Sequence, residues 1–319
     1  MTKALITGVT GFAGSHLAEF LLAKKYSVTG LHRRTGSVEN IAHITDRLTL
    51  YECDIRDAAR LAKVIAQTEP DEIYHLVAIA QVPASHRDPR LTFEVNLHGS
   101  LNLFEAVKAV SREIKVLYVG SAHEYGHVTE KDIPINEDVP LRPTDPYSVS
   151  KASADMLAFQ YACNFHMPIV RVRPFNHIGP RQSPAHAVPS FAKQITAIEK
   201  GVAEPVIDVG NLEAKRDFTD VRDMVEAYWL VLQEGEPGEV YNVCSGTAIS
   251  VKELLNQLLD MSGEDVQVNQ DPRKLRACEV PLLVGSFAKV HQQTGWKPKI
   301  PLEKTLCDTL NYWRDKNKA

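Results

Sequence analysis

Short apolar or β-branched runs recur at Ala4 to Ile6, Ser27 to Leu31, Leu48 to Cys53, Glu72 to Leu76, Lys115 to Val119 and Pro168 to Val172, separated by stretches of helical periodicity. Strand alternating with helix predicts a parallel sheet covered on both faces. The helical segments are amphipathic: Phe12 to Lys24 carries Leu17, Phe20 and Leu21 on one side, and Thr92 to Val110 carries Phe93, Leu97, Leu101 and Phe104. A third helix, Tyr147 to Asn164, has its start marked by Asp145 as N-cap and Pro146 at the first helical position. After Pro180 the alternation gives way to a loop (Pro180 to Pro189), a helix (Ser190 to Lys200) and a strand-helix passage from Arg216 to Gln233 that reads as a return to the sheet. The tail carries two more helical patterns, Val251 to Met261 and Leu302 to Arg314, joined through a charged, Pro-containing connector at Asp271 to Pro281. The expected fold is α/β: a Rossmann-type, doubly wound parallel sheet from residues 1–178 and 217–244, and a smaller, discontinuous substrate domain from 179–216 and 245–319.

Composition narrows the function classes. A net charge of -4 from 36 basic and 40 acidic residues spread along the chain, with no polybasic run, argues against a nucleic-acid partner. No stretch approaches the ~20 apolar residues of a membrane span, and the N-terminus runs straight into a strand, so a cytoplasmic protein is expected. Cys53, Cys163, Cys244, Cys278 and Cys307 are odd in number, with no C-x-x-C pair and no His spacing for zinc. They are expected to be reduced, and no metal site is expected.

The first strand ends in Gly8-Val9-Thr10-Gly11-Phe12-Ala13-Gly14 and leads into a helix, the context a dinucleotide-binding loop requires. Glycines there permit a tight turn and close backbone approach, with pyrophosphate at the positive end of the helix. Where an NAD site places an acidic residue after the second strand, this chain has Arg33 and Arg34. Two guanidinium groups suit a 2′-phosphate, so NADP(H) is favoured over NAD(H).

Tyr147 and Lys151, at i and i+4, share one helix face within reach of a common ligand. A phenol of ordinary pKa ~10 is a poor proton donor at neutral pH, and a neighbouring cation stabilises its ionised form. Ser121, just after the run Val116 to Val119, is placed to hydrogen-bond a substrate carbonyl oxygen.

The loop spacing G-x-x-G-x-x-G and Tyr-x-x-x-Lys together resemble the short-chain dehydrogenase/reductase family, in its extended form that modifies nucleotide sugars. The resemblance covers nearly the whole chain, through Tyr74-His75-Leu76-Val77-Ala78, Asn96, Ser121 to Gly126, Tyr147 to Lys151 and Arg171-Val172-Arg173-Pro174-Phe175-Asn176-His177. It implies cofactor contacts from Gly8, Gly11, Phe12, Ala13, Gly14, Asp54, Ile55, Leu76, Ala78, Tyr147 and Lys151, with Asp54-Ile55 at the adenine. Lys151 would also bind the nicotinamide ribose, Asn176 the sugar diphosphate, and Asn96 is expected to be structural. It further implies a homodimer paired through the helices Thr92 to Val110 and Tyr147 to Asn164.

Two segments, Gly210 to Asp223 and Asp271 to Pro281, look like the branch of GDP-mannose 4,6-dehydratases and GDP-4-keto-6-deoxymannose reductases. The likeness implies that Arg216 and Arg276 bind the diphosphate, with Lys193 nearby and Glu279 at the nucleotide end. The branch's Arg-Pro-Thr-Glu is Arg-Ala-Cys-Glu here. A dehydratase uses a carboxylate two residues after the Ser/Thr to move the C5 proton, and this chain has His123 there, a candidate substrate contact. Glu124, one residue further, would point elsewhere if the segment is extended. The expected activity is therefore NADPH-dependent reduction of the C4 keto group of GDP-4-keto-6-deoxy-D-mannose, to GDP-D-rhamnose or its C4 epimer. A 4,6-dehydratase, a nucleotide-sugar 4-epimerase and a non-catalytic NADP-binding protein are the alternatives, in that order.

Overall fold

The computed structural model describes residues 1–110, 112–274 and 281–316. Elements in the first half follow the hydrophobic pattern: β1 (Lys3–Thr7), α1 (Phe12–Ala23), β2 (Ser27–His32), β3 (Thr49–Glu52), α2 (Ala58–Thr68), β4 (Glu72–His75), the short α3 (Val82–Arg87) and α4 (Pro89–Phe93), α5 (Gly99–Lys108), β5 (Lys115–Val119), α6 (Pro146–Phe165) and β6 (Ile169–Pro174). Strands β1, β4, β5 and β6 are buried on both faces, and β1 and β5 accordingly read as near-continuous apolar runs and not as alternating ones. The start of α6 is as the sequence implies: Asp145 accepts the Ser148 N–H at 2.9 Å, and Pro146 occupies the first turn.

The long helix expected at Thr92 to Val110 is not regular. It runs from α4 into α5 through a π-helical turn at Glu94–His98. Asn96 sits in that turn and is buried; its Oδ1 accepts the Ile79 N–H at 2.8 Å and its Nδ2 donates to Ser150 Oγ at 2.9 Å. The widened turn thus ties the loop after β4 to α6, in the structural role expected for Asn96.

The second half comprises β7 (Asn176–Ile178), α7 (Ala187–Glu199), β8 (Val206–Val209), β9 (Lys215–Asp220), α8 (Val221–Glu234), β10 (Val240–Val243), β11 (Ala248–Ser250), α9 (Val251–Ser262), β12 (Gln267–Gln270), β13 (Leu282–Leu283), α10 (Ala288–Thr294) and α11 (Leu302–Lys316). The main sheet has seven parallel strands in the order β10-β6-β5-β4-β1-β2-β3. One correction concerns the passage Arg216 to Gln233. Its strand, β9, stays in a small sheet with β7, β11 and β13, and the return to the main sheet is made by α8 and β10. Polar groups decide this: Asp217 accepts from Ser245 N, Ser245 Oγ, Gly246 N and Gly285 N, which binds β9 to neighbours in the smaller lobe.

Two apolar clusters flank the main sheet. One holds α1 and α8 against it, with Trp296; the other holds α2, α5 and α6. A third, built on Phe191, Ile195, Leu254, Leu258, Leu310 and Trp313, joins α7, α9 and α11 into the smaller lobe. Among the described residues no helix is long and apolar enough to cross a membrane. Cys53, Cys163, Cys244 and Cys307 are free thiols; Cys278 lies outside the described residues.

Candidate active site

The strand order reverses between β1 and β4, and the loops after both open a crevice at the carboxyl edge of the sheet, where a doubly wound fold binds its ligand. The glycine loop forms one wall. Gly8 has φ +74°, and Gly11 N–H donates to Gly8 O at 3.0 Å. A Cβ on Gly14 would stand 2.2 Å from Gly8 O, so only glycine lets α1 start this close to the turn. Gly11, the N-cap of α1, offers no side chain to the first-turn N–H groups of Phe12, Ala13 and Gly14. They remain available to an anion, and this cradle fits a dinucleotide pyrophosphate. The opposite wall is Leu76 to Ala78, its backbone held as the Leu76 and Val77 N–H groups donate to Thr7 Oγ1 at 3.1 and 3.2 Å.

Beyond β2, Arg33 and Arg34 are exposed on a turn closed by Gly36 N–H to Arg33 O. Asn40 Nδ2, from the segment that follows, donates to Thr10 O of the glycine loop at 3.1 Å. The arginine turn therefore lies beside the glycine loop. Asp54 receives a two-pronged contact from Arg56, at 2.8 and 3.0 Å, which holds its carboxyl below the usual range. Ile55 is buried against Gly99 at the start of α5.

Three residues meet where β5 ends over α6. Ser121 caps a short 3-10 turn, Ala122–Tyr125, accepting the His123 N–H at 3.1 Å, and its hydroxyl is also the hydrogen-bond partner of the Tyr147 phenol. Burial pushes the Tyr147 phenol up to about 12, a shift only partly offset by the Ser121 bond. Lys151 lies one helical turn on; its ammonium donates to Val119 O and sits 4.7 Å from the Tyr118 ring centroid. Burial lowers the lysine's pKa, and the carboxylates of Glu124 and Asp155 work in the opposite direction. A buried donor phenol, a hydroxyl beside it and an ammonium below it can deliver a proton to an oxygen held between them.

The His123 ring meets Tyr147 edge-on, with centroids 5.9 Å apart, so the structure brings His123 into this group. Glu124 is directed away from the crevice, as expected, but the reason differs. The segment is a 3-10 turn, not an extended strand, and it aims Glu124 into the protein, onto Ser121 N–H and Arg173.

The remaining substrate candidates are spread through the smaller lobe. Asn176 is half-buried on β7, opposite Phe218 of β9. Lys193 is exposed on α7, beside Ser183, Ser190 and Gln194 on the wall of a 550 Å³ cavity. Arg216, on β9, donates to Lys215 O at 2.8 Å. Arg276 and Glu279 lie outside the described residues.

Sequence reasoning overlooked Arg173 and Asp155, which lie beneath the site. The signal was present: two arginines at alternate positions of an otherwise apolar strand, Ile169–Pro174, share one buried face and demand acidic partners. His177, named from the sequence without a role, stacks its ring on Phe12 at the start of α1 with centroids 5.7 Å apart.

Fold and site together define an extended short-chain dehydrogenase/reductase. A family model described as GDP-mannose 4,6 dehydratase matches residues 5–309, and the chain belongs to that family. It is 35% identical over 317 residues to a GDP-6-deoxy-D-mannose reductase of Pseudomonas aeruginosa, covering 99% of each chain. It is 33% identical to a GDP-mannose 4,6-dehydratase of Yersinia enterocolitica, covering 97% of this chain and 93% of that one. Among solved structures, RMD from Pseudomonas aeruginosa complexed with NADPH superposes with a TM-score of 0.86 at 33% identity, over 99% of this chain and 100% of that one.

Proposed function

We propose that the protein uses NADPH to reduce the C4 keto group of GDP-4-keto-6-deoxy-D-mannose, giving GDP-D-rhamnose or its C4 epimer. The observation that carries this reading is the setting of Ser121, Tyr147 and Lys151, with no free carboxylate beside them among the described residues. Glu124, the acidic residue next to His123, is wholly buried and engaged by Ser121 N–H and Arg173. NADPH, when bound, supplies the hydride. Ser121 holds the substrate oxygen, Tyr147 gives it a proton, and Lys151 stabilises the phenolate left behind. Arg33 and Arg34 take the 2′-phosphate, and the first-turn N–H groups of α1 take the pyrophosphate. Asp54 and Ile55 border the adenine, and Leu76 and Ala78 face the cofactor from the loop after β4. Asn176, Lys193, Arg216, Arg276 and Glu279 bind the GDP-sugar. The overall sequence likeness to the Pseudomonas reductase supports the same reading.

Incubation with GDP-4-keto-6-deoxy-D-mannose and NADPH tests it, with nicotinamide oxidation followed optically and the product identified by NMR. Stoichiometric oxidation with a 4-hydroxy sugar is the expected result. Conversion of GDP-mannose to the 4-keto sugar without added reductant would instead establish a dehydratase, with His123 beside Tyr147 as the group that moves the C5 proton.

The working form in this proposal is a cytoplasmic homodimer. Leu101 on α5 and Val149, Met156, Phe159 and Phe165 on α6 present large apolar side chains to solvent, Met156 at 58% exposure, and a second copy would cover them.

A further inference from the structure

Beneath the Ser121, Tyr147 and Lys151 centre lies a charge cluster that the proposed chemistry does not use. Glu124 and Asp155 are fully buried, and Arg171 and Arg173 nearly so. One Glu124 oxygen accepts the Ser121 N–H at 2.8 Å, and the other accepts from Arg173 Nε at 3.0 Å. Arg173 also donates to Asp155 Oδ2 at 2.7 Å and to the Tyr125 hydroxyl at 3.2 Å. Arg171 reaches the same Asp155 oxygen at 2.8 Å, leaving Asp155 Oδ1 without a partner.

Burying four ionised groups is costly unless they are mutually paired. Burial and the neighbouring Asp155 carboxylate push Glu124 up to about 8, against the pull of Arg173 and Lys151; above that pH, where the alkaline limb is read, two carboxylates face two guanidinium groups and their charges cancel. The Lys151 ammonium is a fifth charge and stays unbalanced among these groups. Lys151 is faced by the Tyr118 ring, the Val119 carbonyl, His75, Glu124 and Asp155. Tyr147 is faced by Ser121, His123, Asp145, Glu124 and Tyr228. Glu124 is common to both sets.

We propose that Glu124 is a positioning residue for this centre: one carboxylate oxygen fixes the backbone at Ser121, and its charge cancels that of Arg173, so that Lys151 carries the unbalanced positive charge beneath the Tyr147 phenol. The inference deepens the ketoreductase reading and rests on it for its kinetic arm alone.

The sign of the effect follows from charge. A carboxylate at Glu124 favours the ammonium form of Lys151 and opposes the phenolate form of Tyr147, so it raises the pKa of both groups. Glu124→Gln removes that charge and moves both downward. Reduction needs a protonated Tyr147, so the alkaline limb of the kcat/KM profile moves to lower pH, by on the order of one unit. Glu124→Asp keeps the charge but shortens the reach to Ser121. It leaves the alkaline limb in place and lowers kcat by about tenfold.

A second arm needs no substrate. Phenolate absorbance in the near ultraviolet is titrated with and without the Tyr147→Phe change, in wild-type and Glu124→Gln backgrounds, so that the difference isolates Tyr147. Should Glu124→Gln fail to fold, Glu124→Asp still tests the proposal, because its loss of kcat with an unmoved alkaline limb reads the Ser121 contact alone. A folded Glu124→Gln variant whose limb and phenol titration match wild type would overturn the assignment, as would Glu124→Asp shifting as far as Glu124→Gln or keeping the wild-type kcat. If wild-type protein does not oxidise NADPH with the 4-keto sugar, the ketoreductase reading falls, while the phenol titration still decides the role of Glu124.

Discussion

Replacing Gly14 by alanine tests the cofactor cradle at its tightest point. The added Cβ would lie 2.2 Å from Gly8 O, 3.0 Å from Gly8 C and 3.1 Å from Val9 Cα. Cβ atoms essentially never approach another heavy atom closer than 3.0 Å, so the first turn of α1 and the glycine loop must part by roughly 1 Å. Gly8 cannot retreat freely, because its far side already packs against Val77, whose Cα would stand 3.1 Å from a Cβ there. Overpacking of this kind costs about 1–3 kcal/mol. Loss of the Gly11 N–H to Gly8 O bond adds about 1 kcal/mol. If the variant escapes this strain by opening the loop, closing it again around the pyrophosphate restores a cost of about 2–4 kcal/mol, which is about 30- to 1000-fold in Kd. Fluorescence titration with NADPH reads the loss, and circular dichroism confirms the fold. An affinity within about threefold of wild type, where one factor of ten corresponds to 1.4 kcal/mol, would refute the argument that this contact shapes the cofactor site.

Three further outcomes are expected. Replacing Arg33 and Arg34 together by alanine should weaken NADPH far more than NADH in parallel titrations; equal loss for both would sink the 2′-phosphate assignment. Burial lowers His16 to about 4 and His75 to about 3, so both are neutral in the folded protein at neutral pH. Their unfolded forms take up protons below about pH 6.5, so stability is complete above that pH and falls as pH drops toward 4, by up to about 3 kcal/mol for His16. Urea unfolding at several pH values should show that slope, and His16→Gln should reduce it. Met156→Asp, on the exposed face of α6, should convert the proposed dimer to a monomer in light scattering while leaving the far-ultraviolet spectrum unchanged.

Much of the site was legible along the chain because its parts are local. The glycine loop lies between one strand and the next helix, and Tyr147 and Lys151 lie on successive turns of a helix whose cap is written in Asp145-Pro146. Periodicity of two and of 3.6 residues needs no distant partner to be read. The branch-specific stretch Asp217 to Asp223 was informative for a different reason. Asp217 and Asp223 point inward as structural acceptors, Asp223 receiving the Lys299 and Ile300 N–H groups at 2.8 Å and thereby fastening the approach to α11.

What the sequence alone determined, then, was the alternation of strands and helices through β6 and the strand-loop-helix form of the glycine loop, each set by interactions within about a dozen residues. Tertiary structure decided which sheet received β9, because that depends on the distant partners Ser245 and Gly285 of Asp217. It likewise decided that Glu124 faces the protein interior. A 3-10 turn sets the direction of its side chain, and an arginine 49 residues away neutralises it. Such pairings are made only when remote strands come together, and a buried charge finds its stabilising partner by proximity in space, not along the chain.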